Sequence, residues 1–102
     1  MKLPKTVVIC GREFKVIVNK KDRGGWFDTD KQQLCIGTQD ASSDRIKEVF
    51  LHETIEAIFG ARMVRYKLPY SGEDNGNYLF SFNHLEFENC IIDIAYALKD
   101  VI

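Results

Sequence analysis

The run His52-Glu53-Thr54-Ile55-Glu56 places an imidazole and two carboxylates inside an otherwise apolar stretch spanning residues 46–59. At 3.6 residues per turn, His52 and Glu56 lie one turn apart on a helix, between Val49 and Phe59, and Glu53 projects beside them near Ile46 and Val49. The clearly solvated stripe of that helix is then narrow and centres on Lys47 and Thr54. A carboxylate removed from water without a partner is costly, so the cluster calls for a neutralising group, and a divalent metal ion is one. Metal binding is the chemistry expected, with hydrolysis built upon it.

His84 and Glu88 form a second pair one turn apart, at the head of another apolar helical segment whose face continues through Ile91, Ala95, Leu98 and Ile102. His52 and His84 are the only histidines in the chain. Ligands at i and i+4 point toward a common centre, so groups from both helices can meet across a helix–helix contact.

The elements that must position these groups are legible in part. Residues 6–19 (TVVICGREFKVIVN) read as two strands joined by a tight turn within Cys10-Gly11-Arg12-Glu13, and residues 25–37 (GWFDTDKQQLCIG) as a second hairpin. The expected fold class is α+β: a small antiparallel sheet of three to four strands over residues 6–37, followed by two packed helices at 43–59 and 84–100. Ser42 or Ser43 caps the first helix, Asp44 suits its positive end, and Gly60 is placed to end it in the left-handed conformation. Residues 62–82 carry Pro69, Gly72 and Gly76 and read as loop, with 78–82 (YLFSF) either a short strand or a packed loop.

The pattern is similar to the zincin metalloproteases, in particular small sheet-plus-two-helix zincin-like domains of bacterial and phage proteins. Their H-E-x-x-H helix supplies two histidine ligands and a glutamate base, and gluzincins add a glutamate ligand from a second helix. Here the first helix reads His52-Glu53-x-x-Glu56, and the second offers His84, so two ligand positions are exchanged. The resemblance implies zinc at His52, Glu56 and His84, with Glu53 as general base and Glu88 orienting a ligand or replacing one. It also implies a peptide or protein substrate, with Tyr66, Tyr70 or Tyr78 as donor to the oxyanion. Manganese, iron and nickel also suit such a donor set. A metal-stabilised interaction module without activity and a metal-free partner-binding domain are the alternatives.

Composition narrows the classes. A chain of 102 residues makes one domain, and its 45% hydrophobic content supplies a core. A net charge of −1 with mixed signs gives no basis for a nucleic acid or anionic membrane partner. No apolar run approaches a membrane span, and residues 1–5 show no signal-peptide pattern, so a cytoplasmic protein is expected. Cys10, Cys35 and Cys90 are odd in number and widely spaced, which fits free buried thiols, a thiolate metal ligand being the alternative.

Overall fold

The computed structural model describes residues 2–67 and 78–101. Strands β1 (Thr6–Ile9), β2 (Arg12–Asn19), β3 (Gly25–Asp28) and β4 (Gln33–Gly37) precede helix α1 (Ser43–Ala61). The short strands β5 (Arg65–Lys67) and β6 (Tyr78–Phe80) pair separately, and helix α2 (His84–Ala97) follows. The fold is α+β, as expected. Cys10 and Gly11 both take positive φ (50° and 81°), the geometry of a two-residue hairpin turn that matches strand twist.

The sheet is mixed where a wholly antiparallel one was expected. Its order is β1-β2-β4-β3, with β2 and β4 parallel and the other neighbours antiparallel. Burial explains the order. Leu34, Cys35 and Ile36 are all buried, so β4 is covered on both faces and belongs in the interior of the sheet. Strand β3, whose Trp26 is largely exposed, takes the edge.

Helix α1 lies over β3 and β4, while α2 packs beside α1 and over β1. Val7, Ile9, Phe14 and Leu34 meet Ala57 and Ile58 in one part of the core, and Ile36 meets Val49, Phe50 and Leu98 in the other. Thr54 is fully buried on this inner side, so the solvated stripe does not centre on it; it follows Arg45, Glu48 and His52 instead. No helix among the described residues is long and apolar enough to cross a membrane.

Both helix starts are capped by their sequence. Ser42 Oγ accepts from Arg45 N–H at 3.1 Å, and Asn83 forms a reciprocal capping box with Glu86. The ends differ from expectation. Helix α1 runs past Gly60, and Met63 (φ 60°) takes the left-handed position instead. Val64 N–H reaches Phe59 C=O and Met63 N–H reaches Gly60 C=O, the paired bonds of a Schellman ending, while Val64 is carried into the core. Helix α2 ends at Ala97 rather than near residue 100.

The inner face of α2 carries Cys90, Ile94, Ala97 and Leu98 together with Asp93. Asp93 accepts from Arg62 Nε and from the Cys10 thiol (3.3 Å), tying α2 to the end of α1 and to the first hairpin. The Arg62 hydrogen bond holds the Asp93 carboxyl below its usual pKa, and burial together with Asp93 pushes the Cys10 thiol up to about 11. Cys10 is therefore a hydrogen-bond donor, not a nucleophile. Cys35 and Cys90 are buried free thiols.

Met63 pays the steric cost of a left-handed residue with a side chain that is mostly in solvent. Met63→Gly should stabilise the fold by about 1 kcal/mol, read as an upward shift in the urea midpoint at constant slope.

Candidate metal centre

His52, Glu53 and Glu56 project from the outer edge of α1 toward β3, and each offers one donor atom within 4.8 Å of the others. His52 Nε2 lies 3.1 Å from Glu56 Oε2 and 3.7 Å from Glu53 Oε2. This group can hold a metal ion. Burial is uneven within it. The His52 side chain is 63% exposed, whereas Glu53 retains only 7% of its accessible surface. The histidine expected between apolar neighbours therefore stands at the solvent side, and the glutamate beside it is the desolvated group.

Glu53 is buried because the chain approaches closely there. Gly25 opens β3, and a Cβ at that position would lie 2.7 Å from Cys35 O, 2.9 Å from Val49 Cγ1 and 3.0 Å from Glu53 Cγ. Glycine lets α1 descend onto the sheet edge at the turn that bears Glu53. Burial raises the pKa of the Glu53 carboxyl; His52 offsets this in part, Glu56 adds to it, and Arg65 opposes it weakly.

Arg65 is a member of the site that the sequence did not reveal. Its guanidinium lies 3.7 Å from the Tyr78 ring centroid and 5.4 Å from that of Phe27, and its Nε is 3.8 Å from Glu56 Oε1. The buried Nε has no hydrogen-bond partner among the described residues. Only the β5–β6 pairing brings Arg65 and Tyr78 together, and no periodic pattern in the sequence marks that pairing.

The site opens into a groove along α1. At the helix start Arg23, Gln39 and Arg45 line a hollow, and Arg45, Glu48, Val49, His52 and Glu53 line the next. The third, about 460 Å³, is bounded by Trp26, Phe27, His52, Glu53, Glu56, Arg65 and Tyr78. Gly24 and Arg45 are common to the first two, and Gly25, His52 and Glu53 to the last two, so the groove is continuous.

The expected ligand set is not assembled as the spacing implied. His84 heads α2 with its side chain 84% exposed, and its nearest acidic partner is Glu88, 3.4 Å away. Neither joins the His52 group among the described residues. The face carrying His84, Glu88, Ile91 and Ala95 is the exposed one, because α2 turns Cys90, Ile94 and Leu98 inward. Of the three candidate tyrosines, Tyr78 lines the cleft, Tyr66 is largely exposed on β5, and Tyr70 falls outside the described residues.

No protein-family model, curated protein or solved structure matches the chain.

Because Glu53's folded pKa lies above its unfolded one, its contribution to stability is full below the ordinary carboxylate range and is lost as pH rises through the raised folded value. Glu53→Gln cannot ionise, so in metal-free protein it should melt a few degrees higher than wild type at neutral pH, with the gain shrinking toward acid pH. Scanning calorimetry across that range checks it. Gly25→Ala should destabilise by about 1–3 kcal/mol, since two of its three contacts are a backbone carbonyl and a packed valine; the denaturant midpoint reads the loss.

Proposed function

We propose that this chain is a zinc-dependent peptide hydrolase of the kind its resemblance to zincins implies, with His52 and Glu56 as two of the ligands and Glu53 as general base. The third protein ligand that such a site requires, for which His84 was expected, lies outside the cluster among the described residues. One observation carries the reading. Donors on a tetrahedral zinc with bonds of about 2.0–2.1 Å stand roughly 3.3 Å apart. The contacts of 3.1 and 3.7 Å from His52 Nε2 bracket that spacing. The shorter one supports Glu56 as the residue that would hold zinc with His52, and Glu53 would then remain free to act as base.

A bound zinc ion supplies Lewis acidity toward a substrate carbonyl and acidifies water. The chain supplies the rest. Glu53, with a pKa raised by burial, accepts a proton at its carboxylate from the attacking water and returns it to the leaving amine. Arg65, held on Tyr78, presents guanidinium donors to oxygen in the cleft, a role in stabilising developing negative charge. Strand β3 has an edge unpaired among the described residues and lines the same cleft, so an extended peptide can add to it through main-chain hydrogen bonds. Three free cysteines fit a reducing compartment such as the cytoplasm.

The 3.1 Å contact also serves a metal-free reading, in which His52 pairs directly with Glu56 and Arg65 braces the same carboxylate. Elemental analysis of untagged protein separates the two. Expected are about one zinc per chain, its loss in His52→Ala and Glu56→Ala, and its retention in His84→Ala. Glu53→Gln should keep the metal and lose roughly 10²–10⁴-fold in peptide hydrolysis. Wild-type protein that neither carries zinc nor takes it up would leave only the ion-pair cluster, and retained turnover in Glu53→Gln would remove Glu53 from the chemistry.

A further inference from the structure

Helix α2 carries large apolar groups on its outward side as well as on its inner one. Its inner face holds Asp93, while Leu85 (65% exposed), Phe87, Ile91, Ile92 (64% exposed) and Tyr96 face outward. His84, Phe87, Glu88, Ile91 and Ile92 line one shallow hollow. The Phe82 ring, 5.8 Å from Phe87, and Phe80, joined to it through Phe59, continue this surface onto β6. These side chains leave an apolar surface uncovered along α2 and onto β6, of the kind that marks a contact with another chain.

We propose that this face is the contact of a two-fold homodimer in which α2 packs antiparallel against α2 of a second copy. Charge distribution selects a second copy as the occupant. Along the outward stripe, acidic Glu88 stands toward the N-terminal end and basic Lys99 at the C-terminal end, with the apolar residues between them. An isologous contact demands that kind of self-complementarity. A two-fold axis passing between Ile91 and Ile92 sets Glu88 opposite position 95 and His84 opposite Lys99, which lies in the turn that follows α2, so Glu88 comes near the Lys99 stem of the second copy. Lys99 Nζ sits 4.2 Å over the Tyr96 ring, which places its charge on this side of the helix. Antiparallel packing also opposes the two helix dipoles favourably. A lipid surface is the poorer occupant, because residues 84–97 contain three acidic side chains and neither lysine nor arginine.

Sedimentation velocity over a concentration series tests this. Wild-type protein should move from an 11.8 kDa monomer toward twice that mass as concentration rises. Ile92→Glu and Leu85→Glu, both on outward side chains, should each weaken self-association roughly tenfold or more with unchanged far-UV circular dichroism. Glu88→Lys and Lys99→Glu should each weaken the homodimer, and an equimolar mixture of the two should restore association as a heterodimer. A wild-type chain that stays at 11.8 kDa, or a dimer indifferent to both glutamate substitutions, overturns the proposal. A charge-swapped mixture that fails to reassociate overturns the antiparallel arrangement, and does so even where a glutamate variant fails to fold. Sedimentation of wild-type monomer with phosphatidylserine vesicles would assign the face to lipid instead. None of these readings depends on metal or on turnover.

Discussion

The seating of α1 on the β3–β4 edge of the sheet determines most of what this molecule can do. Phe50, Ala57 and Ile58 fill the space above Leu34 and Ile36, and a fully buried phenylalanine or isoleucine contributes about 1.5–3 kcal/mol. Those contacts fix the rotation of α1 about its axis. With the rotation fixed, the turn from Val49 to Glu53 is driven against the start of β3, where Gly25 alone leaves room. Glu53 loses its water as a consequence of packing elsewhere, and His52 and Glu56, on the next strip around the helix, are left at the mouth of the groove.

The second helix is governed by a different constraint. It is apolar on nearly every side, so hydrophobic periodicity could not say which side turns inward. Asp93 decides it, because the bonds from Arg62 and Cys10 satisfy this carboxylate only if it faces the end of α1 and the first turn. Choosing that side exposes His84 and Glu88. The stripe through His84, Glu88, Ile91 and Ala95 is regular in spacing yet lies outside, because the Asp93 anchor sits on the opposite, inward side of the helix. Thr54 is the mirror case, a polar side chain carried inward by its apolar neighbours Phe50, Ala57 and Ile58.

What was legible follows the range of the determining interactions. The Cys10-Gly11 turn, the Ser42 cap and the second hairpin are settled within a few residues, and the α+β class follows from them. The β2–β4 parallel pairing and the β5–β6 pairing join segments whose partner choice depends on burial across the whole domain. Arg65 could not be found for the same reason, since its place beside Glu56 exists only once β5 and β6 have met. The His52-Glu53-x-x-Glu56 group was found because a helix fixes its spacing locally.

Folding alone gives no reason for a glutamate at position 53. An apolar residue there would satisfy the packing against Gly25 and Val49 without removing a charge from water, and glutamine would keep the shape without the ionisation. His52 offsets the burial only partly, since most of its side chain is in solvent, and Arg65 directs its nearest contact to Glu56 rather than Glu53. The fold thus carries an electrostatic penalty at a site where burial, an open groove and two further donor atoms coincide. Conflicts of this kind between local chemistry and fold concentrate where a protein binds or reacts. A dication held by these side chains would resolve the conflict: it would neutralise the charge beside the buried carboxylate, give His52 a partner on the solvent side, and use the spacing that α1 already imposes.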